Sequence, residues 1–181
     1  MRHRALALLL GTAVPLAPLA AQRPLRVGVA GGVSVPEGSL RDGAKTGWHA
    51  LGTLALSSPM QPIGLRLDAA YNRFAFADGV RTTSLGDGNQ TVGSATLNAT
   101  YRLPMTNSPL SPYVITGLGA YRTACSLGPG CEASTRYGWN AGLGTKVYTL
   151  GVTSFLEARY HRTSRGGSGV HYFPVTFGLL F

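Results

Sequence analysis

Residues 63–74 read Ile63-Gly64-Leu65-Arg66-Leu67-Asp68-Ala69-Ala70-Tyr71-Asn72-Arg73-Phe74. Leu65, Leu67, Ala69 and Tyr71 alternate with Arg66, Asp68, Ala70 and Asn72, and a period of two puts the two sets on opposite faces of a β-strand. A charge in mid-strand persists only where it is paired or hydrated. A soluble ligand-carrying barrel fills its interior with apolar side chains and wets its outside. Arg66 and Asp68 opposite an unbroken apolar face call for the inverse, an apolar face on lipid and a polar face on a barrel interior.

The same pattern recurs outward from this segment. Ala95, Leu97, Ala99 and Tyr101 oppose Ser94, Thr96, Asn98 and Thr100, and the last segment carries the row Phe173, Val175, Phe177, Leu179, Phe181. No segment sustains a helical period between credible caps. Strands are expected at 25–35, 46–56, 63–74, 91–103, 112–123, 136–147, 152–162 and 170–181, lengths that suit a tilted membrane strand. The connections alternate broadly between long (36–45, 75–90, 124–135, 163–169) and short (57–62, 104–111, 148–151). That is the rhythm of a barrel with both termini in the periplasm, where odd connections are external loops and even ones are turns. The expected fold is all-β, an eight-stranded antiparallel up-and-down transmembrane β-barrel.

Met1-Arg2-His3-Arg4, the apolar stretch from Ala5 to Val14 and the ending Leu19-Ala20-Ala21 have the layout of a secretory signal peptide. The expected organisation is a cleaved leader over 1–21 and a single barrel domain over 22–181. Past the leader no apolar run reaches the roughly 18 residues of a membrane helix. Lys and Arg outnumber Asp and Glu by 16 to 7, and loss of Arg2 and Arg4 lowers the formal charge from +9 to +7. An exported protein meets anionic lipid rather than nucleic acid, so no nucleic-acid partner is expected. Cys125 and Cys131 flank a short Gly-Pro-Gly segment, and export through an oxidising compartment favours a disulfide. A metal site is the weaker reading, because two thiolates without neighbouring histidines leave a zinc shell incomplete.

Aromatic residues supply an independent check. Trp48, Tyr71, Tyr121, Tyr137, Trp139 and Tyr160 are expected on the apolar parity near the external strand ends, and Tyr101, Tyr113 and Phe181 near the periplasmic ends. Two belts of this kind suit the two membrane interfaces.

Val175-Thr176-Phe177-Gly178-Leu179-Leu180-Phe181, together with Pro112-Tyr113-Val114-Ile115-Thr116-Gly117-Leu118-Gly119, makes the chain resemble the small eight-stranded outer-membrane barrels of the OmpA and OmpX type. The resemblance covers nearly all of the chain after the leader. It implies that Phe177, Leu179 and Phe181 form a signal read by the outer-membrane assembly machinery. The chain ends at this strand, so the peptidoglycan-binding domain of the longer family members is not expected after it.

Function has to be argued from the site, since this fold hosts many tasks. A barrel of this size is filled by its own side chains, which argues against a general aqueous pore. Arg66, Asp68, Lys146, Glu157, Arg159 and His161 are expected in the lumen, with Arg26 on the same polar parity. An internal ion-pair network is the favoured reading, with a proton-linked site or a narrow gate as alternatives. No catalytic, metal or cofactor residues are assigned. His49, His161 and His171, with Ser164 and Ser168, match no hydrolase or acyltransferase spacing, although their gathering at an open groove would favour a rim enzyme acting on lipid. Arg41, Lys45, Arg81, Arg122, Arg136, Arg162 and Arg165 fall in loops or outer strand ends, while the three turns carry no charge. Such a rim suits the phosphates of an anionic glycolipid. The expected protein is a monomeric, non-enzymatic outer-membrane barrel with a structural, surface-contact or adhesion role. A lipid-modifying rim enzyme and a small-ligand or transport barrel are the alternatives.

Overall fold

The structure, a computed structural model, describes residues 25–58, 60–76, 89–105, 108–125, 133–149, 151–164 and 169–181. Its strands are β1 (Leu25–Glu37), β2 (Gly47–Ser57), β3 (Ile63–Ala75), β4 (Asn89–Arg102), β5 (Leu110–Cys125), β6 (Ser134–Thr149), β7 (Val152–Thr163) and β8 (His171–Leu180). Each pairs antiparallel with its sequence neighbours, and β8 pairs with β1 from Gly28↔Leu180 to Glu37↔His171, so the sheet closes into a barrel in the order β1 to β8. Closure removes the sheet edges, which no apolar solvent would tolerate. Most strands run slightly past their expected ends, because the ladders continue into the bases of the loops. The leader over 1–21, Arg81, Cys131 and Arg165 lie outside the described residues, and with them the proposed Cys125–Cys131 bridge.

Local chemistry sets the turns and one irregularity. Thr149 pairs with Val152 across a two-residue connection, and Gly151 there takes φ +82°, a left-handed angle that tight hairpins require and glycine adopts without a Cβ penalty. Between β7 and β8 the paired positions stop at Ala158↔Val175 and resume in the same register at His161↔Tyr172. Pro174 sits in that gap and has no N–H to donate, so the ladder lapses without slipping.

Side-chain parity divides the barrel. Val29, Leu54, Leu67, Leu97, Leu118, Leu143, Leu156 and Phe177 face outward and exposed, while Arg66, Asp68, Asn98, Asn140, Glu157 and Arg159 face inward and buried. At the loop end, Trp48, Tyr71, Tyr137 and Trp139 point outward, with rings in contact between Trp48 and Tyr71 (5.9 Å) and between Trp139 and Tyr160 (5.8 Å). Tyr101 and Phe181 point outward at the turn end. Tyr121 and Tyr113 do not join these belts; both turn inward, 0% and 2% exposed. Leu67 lies midway along β3 between outward Leu54 and Leu97. Leu67→Arg is therefore expected to cost about 2–4 kcal/mol of unfolding free energy in phospholipid vesicles, measured by equilibrium urea titration. No loss would put position 67 inside the lumen.

Candidate functional site

The lumen is organised in layers from the turn end to the loop end. Midway, β3 supplies Arg66 and Asp68, and β7, four places round the barrel, supplies Glu157 and Arg159. Each pair is spaced by two residues, so both members point inward. The charge order along β3 is positive then negative, and along β7 negative then positive. The result is a closed ring of alternating charge. Arg66 donates to both Glu157 oxygens at 2.8 and 3.0 Å and lies 2.9 Å from the Asp68 carboxylate, while Arg159 bonds Asp68 at 2.7 Å and also bonds Glu157.

Neutral donors complete the ring. The Tyr113 hydroxyl donates to Glu157 at 2.6 Å, and Asn98 donates to Asp68 at 3.0 Å while accepting from Asn140 at 2.8 Å. Tyr113 gains its reach because it packs over Gly144 of β6, where a Cβ would stand 2.5 Å from its ring. The Phe155 ring lies under the Arg66 guanidinium at 5.4 Å. A buried ion pair is sustained when its remaining lone pairs and protons find partners, as most do here, although the Asn140 amide oxygen is left without one.

Above the ring, Ser34 donates to Asn72 at 2.8 Å, and its oxygen lies 3.0 Å from His49 Nδ1. With its one proton spent on Asn72, Ser34 accepts from Nδ1–H, and Nε2 is left to accept from Thr176 at 2.9 Å. A void of about 20 Å³ remains between this layer and the ring, enough for a single water. Higher still, His161 bonds the Tyr121 hydroxyl at 3.0 Å and stacks on Tyr172 at 4.8 Å, and Tyr172 meets Phe74 edge-on. Leu40 and Ala44 of the first loop fold down beside Phe74, Val92, Tyr121, Val170 and Tyr172, capping the loop end with apolar side chains.

This arrangement revises two of the expected lumen residues. His161 belongs to the aromatic layer rather than to the ion pairs, because β7 carries it one inward position beyond Arg159. Lys146 makes none of the ring's ion pairs; its ammonium lies over the face of Tyr113, 5.0 Å from the ring centroid. The three histidines do not gather either: His49 and His161 are inside, whereas His171 faces outward against Tyr160 at 6.1 Å. Asn98, Asn140 and Tyr113 were not singled out as ring partners from sequence. Inward parity marked the two asparagines, but nothing local showed which carboxylate they would meet.

At the loop end Arg41, Lys45, Arg122 and Arg162 are exposed, and Arg136 is half-buried on the inward parity. Arg73, which the sequence reading did not place in the rim, joins it: it is exposed and stands across from Trp48. At the turn end, Arg26, Arg102 and Lys146 line a cavity of about 310 Å³.

A closed antiparallel barrel with an apolar waist, aromatic belts and charges turned inward is a membrane-spanning barrel of the outer-membrane class. The chain belongs to the outer membrane protein beta-barrel domain family, whose model matches residues 6–181. Among solved structures, the fold is similar to that of Neisserial surface protein A, with a TM-score of 0.66 at 18% identity, covering 87% of this chain and 96% of that one. It is also similar to a major outer membrane protein from Thermus thermophilus, with a TM-score of 0.52 at 12% identity, covering 87% and 98%. A search of curated proteins gives no match. The family places the protein in the outer membrane.

Proposed function

We propose that this protein is a monomeric, non-enzymatic surface-contact barrel, exported by a cleaved leader, that presents its external loops and a basic rim to anionic glycolipid of the outer leaflet. The observation that carries this reading is the filled lumen. The charge ring, the His49 layer and the aromatic cap succeed one another along the axis, so a partner from the cell exterior meets the loop end and not the lumen. Outward Arg73, Arg122 and Arg162 stand at the level of Trp48, Tyr137 and Trp139, where headgroup phosphates lie. Phe177, Leu179 and Phe181, in the strand that closes the barrel, are the residues proposed to be read by the assembly machinery.

Transport would need a continuous path, and the same layers stand across it. A rim enzyme would need His49, His161 and His171 gathered at an open groove; the first two are engaged inside, and His171 faces outward against Tyr160.

The test is glycolipid retention. Arg122→Gln with Arg162→Gln is expected to cut co-purifying lipid A-type glycolipid several-fold without altering heat-modifiable gel mobility. Unchanged retention in a folded double variant would defeat the proposal.

A further inference from the structure

The turn end carries a feature that the surface-contact role does not use. Below the charge ring the lumen widens into the cavity of about 310 Å³, at the small end of ligand pockets. Arg26 of β1, Arg102 of β4 and Lys146 of β6 approach it from different strands, and Ser111 and Gln61 add neutral polar groups. Tyr113 forms its floor, tied upward to Glu157 at 2.6 Å and facing Lys146 with its ring. Arg26 is steadied by donating to Thr153 Oγ1 at 2.6 Å.

The charge balance here is one-sided. No carboxylate stands among the described residues lining the cavity. Asp68 and Glu157 are matched within the ring by Arg66 and Arg159, the other acidic side chains, Glu37, Asp42, Asp78, Asp87 and Glu132, belong to the loop end or the long connections, and the terminal carboxylate of Phe181, whose backbone pairs with Val27, stands outside the cavity lining. Three cations converging on a recess with low-dielectric walls focus a positive potential into it. Two guanidinium groups and an ammonium offer forked and point donors, the set that phosphate oxygens take best.

We propose that this periplasm-facing cavity binds a small phosphate-type oxyanion, either free or as the head group of an inner-leaflet phospholipid. The site is distinct from the external rim, since the full height of the packed lumen separates them.

The experiment titrates the folded, detergent-solubilised protein with inorganic pyrophosphate by calorimetry. In parallel, protein in nanodiscs of phosphatidylcholine with increasing phosphatidylglycerol is followed by ³¹P NMR. Saturable one-to-one binding is expected in at least one arm: pyrophosphate binding in detergent points to a free anion, and a phosphatidylglycerol-only signal to a head group. Arg26→Gln with Lys146→Gln should weaken it by about tenfold or more, with Arg102→Gln as the second variant should the pair fail to fold. Arg122→Gln with Arg162→Gln should leave it intact. Absence of saturable binding in both arms, or binding lost with the external pair and kept in the internal one, would overturn the proposal.

Discussion

Glu157→Leu is expected to lower the unfolding free energy by about 3–5 kcal/mol, because it leaves buried Arg66 and Arg159 facing each other without their shared carboxylate. The Tyr113 hydroxyl, which donates to Glu157 at 2.6 Å, is orphaned in the same stroke. A test specific to the ring uses charge exchange. Arg66→Glu with Glu157→Arg keeps an ion pair across the lumen but sets like charges side by side along β3 and along β7, so it should be about as damaging as Glu157→Leu. Adding Asp68→Arg and Arg159→Glu restores alternation and should recover most of the loss. Urea titration in phospholipid vesicles reads all three. A cost for Glu157→Leu below about 1 kcal/mol, the range of exposed pairs, would mean that water enters the lumen and the ring is not a seal.

The second large effect is expected two layers higher, at Tyr172. Tyr172→Ala should cost about 3–5 kcal/mol, the range for deleting a large buried aromatic. Its ring is buried, stacks on His161 at 4.8 Å and meets Phe74 at 5.9 Å. Phe173, the next residue, faces lipid, and Phe173→Leu exchanges one apolar group for another in an apolar solvent, so its cost should stay below about 1.5 kcal/mol. The same urea titration separates the two, and equal costs would mean that the parity of β8 is wrong. With Tyr172 removed the cap over His161 also thins, so single-channel recordings in planar bilayers should stay silent in the variant only if the ring below is sufficient to close the lumen.

Much of this architecture was legible because it is local. The inside of β3 and β7 is marked by charge, and the outside of β8 by its phenylalanines. Strand five shows where such reading fails. Val114, Thr116, Leu118 and Ala120 alternate with Tyr113, Ile115, Gly117, Gly119 and Tyr121, and neither set carries a mid-strand charge to name the interior, the one charged residue of the strand, Arg122, standing at its outer end. Tyr113 and Tyr121 were accordingly expected in the interfacial belts, whereas they close the lumen around Glu157 and His161. Lys146 was read into the ion-pair network for the converse reason: its inward parity was right, but parity does not tell how far along the axis a side chain stands.

By itself the sequence determined strand number, strand direction, the lipid face and the basic character of the loop end, since alternation, turn length and charge placement are properties of one strand or one connection at a time. The matching of Arg66-x-Asp68 to Glu157-x-Arg159 was decided only by the closed barrel. Those doublets are 91 residues apart, and their levels coincide only after the stagger of every intervening strand pair has accumulated around the circumference. The convergence of Arg26, Arg102 and Lys146 on one cavity arises in the same way, from three strands that no local pattern relates.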